Sequence, residues 1–274
     1  MKKNKALKVI KYIFLASAAF VGLFPFILVF LTSFKTRVDA IAMPPKWIFV
    51  PTLSNYINQF TNINVLNATK NSVIIAISAT LISTLIGIFL GYIIARFRTR
   101  GLGLLSQSTL WLRIIPPISI IIPYFVIWHI FNLMDTYFAL IVMYIIIVLP
   151  LITWMMISFF KEIPKGIEEA AMVDGCNRMQ AIRYVVIPMV LPGIFAASAL
   201  SFIVLWNEFL FSVFITSENS RTLPVELYNS LGIFELDWGR LSTITVFSII
   251  PAIIFISLTQ KFIVRGLTMG AIKE

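Results

Sequence analysis

Two clusters of polar side chains stand out in an otherwise apolar chain. The first is Glu168-Glu169-Ala170-Ala171, followed by Asp174-Gly175 and later by Pro188. Ile167, Ala171 and Asp174 recur at i, i+4 and i+7, one face of a helix, with Ala170 beside them. Small alanines let such a helix approach a groove closely, and Gly175 can take the left-handed conformation that ends a helix. A second helical turn can then start, with Met179, Ile182 and Val186 on one face. The pattern fits a helix docked on a partner protein. It also fits an amphipathic helix lying on a membrane surface. The second cluster is Trp206-Asn207-Glu208. A carboxylate beside an apolar span is costly unless it faces water or a partner. Planar polar groups next to an aromatic face suit a sugar route, and a structural contact between helices is the other reading.

Bond-making chemistry has no foothold here. The chain lacks a Gly-x-x-x-x-Gly-Lys-Ser/Thr phosphate loop, a Gly-x-Ser-x-Gly elbow and a His-Glu-x-x-His pair. His129 is the single histidine and Cys176 the single cysteine, so neither a zinc set nor an internal disulfide can be assembled. His129 falls in an apolar span, where polar packing is the expected role, and Cys176 reads as a small packing residue. No catalytic residue, metal site or cofactor is expected in this chain.

The elements that must position these clusters are membrane helices. Hydrophobic residues make up 59% of the 274 residues and charged residues 12%, with a mean hydropathy of +0.94. A soluble domain of this size has too little interior for so many apolar side chains. Crossing a bilayer takes about 20 apolar residues in a helix. Six charge-free stretches meet that length: Tyr12 to Phe34, Asn71 to Ala95, Ile114 to Met134, Thr136 to Phe160, Tyr184 to Asn207 and Leu241 to Gln260. Each is expected to be helical, since an open strand leaves its backbone unsatisfied in lipid. Pro25, Pro123, Pro150, Pro192 and Pro251 fall in or near these spans and invite bends.

Charge sets the orientation. Six spans put both termini on one side, and 16 of the 22 basic residues fall there, including Lys2, Lys11, Arg96, Arg113, Lys161, Arg178 and Lys261. Lys35, Arg37, Lys46, Lys70, Arg221 and Arg240 fall on the other side. Both termini are therefore expected in the cytoplasm. The +10 net charge reads as this topology signal. No basic folded face is present for nucleic acid. The first apolar run continues to Phe34, longer than a signal-peptide core, and is expected to stay as a helix. The outer loops, 35–70 and 213–240, are too short for a second domain, and residues 1–274 read as one. The fold class expected is an all-α membrane protein of six transmembrane helices. A cytoplasmic loop bearing the Glu-Ala-Ala helix joins the fourth and fifth.

Glu169-Ala170-Ala171, three residues, Gly175, nine residues, then Val185-Val186-Ile187-Pro188 resembles the coupling motif of ABC importer permeases. Val185 and Ile187 stand where Ile and Leu are usual. The chain as a whole is similar to the carbohydrate-importing branch of that family. The similarity runs through Pro51-Thr52-Leu53-Ser54-Asn55-Tyr56, Trp206-Asn207-Glu208-Phe209, Arg221-Thr222-Leu223-Pro224, Asp237-Trp238-Gly239-Arg240 and the tail Gln260 to Lys273.

The resemblance implies a permease subunit in a bacterial inner membrane. It would pair with a companion permease, expected as a heterodimer, over two ATPase subunits that hold ATP and Mg. An extracellular or periplasmic sugar-binding protein would deliver substrate. It implies ATPase coupling by Glu168, Glu169, Ala170, Ala171, Asp174 and Gly175. Ser201, Leu205 and Glu208 align with substrate-lining positions of the companion maltose permease, and with Trp206 and Asn207 they form the expected pathway set. A proton-coupled secondary transporter is the alternative. It needs an intramembrane carboxylate, for which only Glu208 qualifies, and often an internal repeat, which is not seen.

Overall fold

Helices are the form in which a chain this apolar can satisfy its own backbone in lipid. The computed structural model describes residues 2–97, 99–231 and 236–269, and among them no strand forms. In chain order the helices are α1 (Lys2–Ser33), α2 (Arg37–Ala40), α3 (Ser54–Thr61), α4 (Ile63–Arg96), α5 (Arg100–Trp111) and α6 (Pro117–Ile130). They continue as α7 (Tyr137–Glu162), α8 (Lys165–Val173), α9 (Arg178–Ala181), a π-turn over Ile182–Val186 and α10 (Ile187–Trp206). The last three are α11 (Leu210–Ile215), α12 (Leu223–Asn229) and α13 (Trp238–Met269). Arg98 and residues 270–273 of the tail motif lie outside the described residues.

Among the described residues, five helical segments are long and apolar enough to cross a membrane: Ile10–Ser33, Ile63–Arg96, Tyr137–Glu162, Arg178–Trp206 and Trp238–Lys261. Five of the six expected spans correspond to these. The third, expected as one helix over 114–134, does not. Pro116 and Pro117 have no N–H to give the carbonyls of Leu112 and Arg113, so the helix breaks there. What remains is α6, 14 residues long and about 21 Å, preceded by α5, a 12-residue helix in what reads in sequence as a loop. Thr99 caps the start of α5 by accepting the Leu102 N–H at 3.3 Å. The five prolines singled out in the sequence all lie inside helices.

The chain forms two compact units, residues 1–66 with 226–250, and residues 67–225 with 251–274. In the first, Asn55 Nδ2 donates to the carbonyls of Ser33 at 3.0 Å and Lys35 at 2.9 Å. The Tyr56 and Ser33 hydroxyls pair at 2.7 Å. Phe247 packs edge-on against Phe60, ring centres 4.7 Å apart. Asp237 caps α13 by accepting the Arg240 N–H at 3.0 Å. The Ser54-Asn55-Tyr56 and Asp237-Arg240 motifs thus act through local structure. Every side chain described along Ile10–Leu23 is exposed, the expected state of a helix facing lipid or another chain.

The second unit is built around α7. Leu140, Met143, Tyr144, Ile152, Met156 and Phe160 are fully buried along it. α10 and α5 pack beside it, and α6 packs on α11. Helix α4 approaches α7 through Gly87 and Gly91. A Cβ at Gly87 would overlap Ile152, and one at Gly91 would fall 2.5 Å from Met156 Cβ. Glycines four apart create such a close crossing, in which dispersion contacts hold membrane helices together.

Candidate ATPase-coupling site and outer pathway

The coupling segment is built by three local signals. Pro164, with φ −58°, ends the run-out of α7 and starts α8. Gly175 has φ +97° and nothing stands within 4 Å of a Cβ placed there. Its requirement is therefore conformational, the left-handed stop expected from the sequence. Asn177 and Gln180 then form a capping box, Asn177 Oδ1 accepting the Gln180 N–H at 2.9 Å and Gln180 Oε1 accepting the Asn177 N–H at 2.8 Å.

The two neighbouring glutamates point opposite ways. Glu168 is 6% exposed. Its carboxylate accepts the Tyr92 hydroxyl and, at 3.0 Å, the Arg96 Nε–H. Arg96 also donates to the Ile163 carbonyl at 3.0 Å, and Lys165 Nζ donates to the Arg96 carbonyl at 3.1 Å. A buried ion pair holds best when further hydrogen bonds support it; those to Tyr92 and Ile163 do so, while Arg96 Nη2 has no hydrogen-bond partner among the described residues. The pair ties α8 to the last turns of α4. Ala171, one turn on, is buried on the same inward face. Glu169, Ala170, Val173 and Asp174 are exposed, Val173 at 87%. The face expected for docking, Ile167–Ala171–Asp174, is thus split. The outward ridge is Gly166–Glu169–Ala170–Val173, because burial of Glu168 rotates the helix. Arg178 lies over the Phe97 ring, 5.4 Å from its centre. In the following turns Met179 is exposed and Val186 buried. The π-turn inserts a residue's worth of rotation between them, so Met179, Ile182 and Val186 do not share an environment.

At the opposite end of α7 stands a site that the sequence reading passed over. Asp135, with φ +56°, accepts the backbone N–H groups of Ser217 (2.8 Å), Glu218 (3.1 Å), Asn219 (2.9 Å) and Ser220 (2.9 Å). The Ser220 hydroxyl adds a bond at 2.8 Å. Partial burial pushes its carboxyl up, but the hydrogen bonds from Asn219, Ser217 and Ser220 outweigh it and hold the pKa at about 2. Asn71 fixes the same segment, donating to the carbonyls of Asn219 (3.0 Å) and Arg221 (2.9 Å). Thr222 pairs with Ser212 at 2.6 Å. The available signal was an acid standing alone between two apolar stretches.

The expected pathway residues separate. Ser201, Leu205 and Trp206 are buried within the chain, and the Trp206 ring stacks on Phe202 at 5.7 Å. Asn207 is exposed, its amide donating to the Ile203 carbonyl at 2.8 Å. Glu208 is half-buried. Its two carboxylate oxygens accept the N–H groups of Phe211 (2.9 Å) and Ser212 (3.3 Å), satisfying donors that the start of α11 leaves free. No group of three or more His, Cys, Asp or Glu side chains suited to a metal occurs among the described residues.

The family model described as binding-protein-dependent transport system inner membrane component matches residues 84–269. Similar proteins include the sulfoquinovosyl glycerol transport system permease protein SmoH of Agrobacterium fabrum. It is 35% identical over 92% of this chain and 89% of that protein. The trehalose/maltose transport system permease protein MalG of Thermococcus litoralis is 34% identical over 93% of each. Among solved structures, the fold matches a bacterial ABC transporter involved in the import of the acidic polysaccharide alginate. The TM-score is 0.79 at 21% identity, covering 95% of this chain and 98% of that one. A chain of the MetNI methionine ABC transporter matches with TM-score 0.59 at 20% identity, over 74% and 94%.

Proposed function

We propose how this chain works from a single premise: it belongs to the binding-protein-dependent transport system inner membrane components, the permease subunits of ABC importers. It is not an enzyme; in this family ATP hydrolysis resides in a separate subunit. Its substrate is a sugar or related polyol, a reading supported by relatives whose names specify sulfoquinovosyl glycerol and trehalose/maltose transport. It works with a companion permease, two ATPase subunits that bind ATP and Mg, and an external binding protein. It sits in a bacterial inner membrane with both termini cytoplasmic. Residues 1–274 act as one transmembrane domain.

The observation that carries the reading is the coupling segment. Helix α8 is pinned through Glu168 to α4 and presents Glu169, Ala170 and Val173 outward. A helix anchored inward by a buried ion pair can pass a push on its outer ridge to the span behind it. Asn207 and Glu208 supply the polar surface toward the outer end of the pathway. The carrier alternative draws less support, because the Glu208 carboxylate is already engaged with backbone N–H groups.

Reconstitution tests this reading. The chain purified from its native membrane should bring ATPase subunits with it. Proteoliposomes of that complex should take up a panel sugar only with ATP and the binding protein. Uptake by the lone chain that survives ATP depletion at a preserved proton gradient would overturn it. Cysteines introduced at residues 2 and 273 should react with impermeant reagents only after the membrane is opened.

A further inference from the structure

The break between α5 and α6 places a charge at the middle of the membrane. Helix α5 begins beside the far end of α7, where Arg100, Leu102 and Gly103 share a cleft with Lys161, Pro164 and Lys165. It then runs back along α7. Arg113 lines a cavity of about 240 Å³ together with Ile147, Val148, Pro150 and Leu151. Those residues are the midpoint of the 26-residue α7, roughly 20 Å from either end. Asp135 marks the opposite end. Arg113, grouped by sequence with the charges on the terminus side, therefore lies at mid-depth, and the remaining asymmetry still favours that side.

Two costs meet at this point. The Arg113 side chain is exposed and has no partner among the described residues. The carbonyls of Leu112 and Arg113 lose their helical donors, because residues 116 and 117 are proline. Neither an unpaired guanidinium nor free carbonyls are tolerated against lipid tails, and irregular backbone at this depth is found where it lines a water-filled cavity. A broken helix near the midplane is also how transporters present backbone and side-chain groups to their cargo.

We propose that Arg113, with the freed carbonyls of Leu112 and Arg113, forms a substrate subsite halfway along the translocation path. The guanidinium fork gives two parallel donors to a pair of sugar oxygens, and the carbonyls accept from adjacent hydroxyls. The fork serves vicinal hydroxyls or a carboxylate alike. The proposal rests on the reading of the chain as a sugar-importing permease.

Two measurements on the assembled importer in proteoliposomes test it. In the first, Arg113→Cys is exposed to a membrane-impermeant cationic methanethiosulfonate, against the parent chain whose sole cysteine is Cys176. Labelling above the parent places the position on the water-filled path. No labelling in any nucleotide state overturns the proposal, whatever the cargo. In the second, uptake of radiolabelled trehalose and of an alginate oligosaccharide is followed with binding protein and ATP. For a probe the parent imports, Arg113→Met should raise the concentration for half-maximal uptake at least about tenfold, with Arg113→Lys intermediate. A change for trehalose identifies hydroxyl pairs as the ligand, and a change confined to the alginate probe identifies a carboxylate. Unchanged uptake of every imported probe by Arg113→Met overturns the subsite. So does loss of the companion permease on purification of that variant, which marks an ion pair between subunits instead. Failure of the parent to import any sugar counts against the sugar reading, while the labelling result still decides whether Arg113 lines the path.

Discussion

Arg96 Nε lies 3.0 Å from a Glu168 carboxylate oxygen across 72 residues of sequence, and both side chains are more than nine-tenths buried. This pair converts α8 from a helix resting at the membrane into one fixed to the base of α4. Leaving one member of a buried pair uncompensated costs about 3–5 kcal/mol. Arg96→Ala and Glu168→Ala should each lower the detergent melting temperature and reduce uptake. The exchange Arg96→Glu with Glu168→Arg should recover part of the stability. Glu169→Ala should leave melting unchanged and weaken only retention of the ATPase, since the Glu169 side chain is exposed and makes no hydrogen bond or ion pair among the described residues. Equal melting of Glu168→Ala and Glu169→Ala would contradict the inward and outward assignment.

Gly175 has open space around it and a left-handed backbone, so conformation alone decides what it tolerates. An L-residue there costs about 1–2 kcal/mol, and Asn less than a branched side chain. Gly175→Asn should retain more ATP-driven uptake than Gly175→Ala, and Gly175→Val the least, with membrane levels of all three close to the parent. A ranking by side-chain volume alone, with Ala ahead of Asn, would show that space rather than dihedral angle limits the turn.

The α4–α7 crossing depends on space instead. Gly91→Ala puts a methyl group 2.5 Å from Met156 Cβ, and overpacking of a fitted contact costs about 1–3 kcal/mol. Thermal unfolding should show that loss for Gly91→Ala. The double variant Gly91→Ala with Met156→Gly should lose less than the sum of the two single losses, because glycine at 156 removes the obstructing Cβ. Strict additivity would mean that the two positions do not meet.

Asp135 gives the molecule a pH dependence with a defined sign. Its carboxyl has a pKa of about 2, against about 3.9 in an unfolded chain. The folded state therefore binds fewer protons. The stabilisation is full above pH of about 4 and is lost as pH falls toward 2. After discounting for partial solvent screening it amounts to about 1–2 kcal/mol. Asp135→Asn should be less stable at neutral pH, and its melting temperature should fall less than the parent's between pH 5 and pH 3, values chosen about the unfolded pKa. Parallel curves would remove Asp135 as the source.

The sequence by itself determined whatever depends on chain neighbours. Runs of apolar residues long enough for a bilayer become helices, because lipid leaves the backbone no other partner. The helix before Gly175 stops where it does because glycine alone enters the left-handed region cheaply. The spacing from Glu169 to Pro188 carries the family in the same local way. Partners far apart in the chain were decided only by tertiary structure. Glu168 and Glu169 are chemically identical neighbours, and only Arg96 and Tyr92, arriving from α4, settle which one turns inward. Asp135 is an ordinary loop acid until residues 217–220 fold over it. Pro116-Pro117 announces a break, but its depth is set by α5 running back along α7 to bring Arg113 beside Val148. Local conformation follows from sterics and hydrogen-bond supply over a few residues. The placement of a charge relative to water, lipid or its counter-ion is a through-space quantity, and packing alone fixes it.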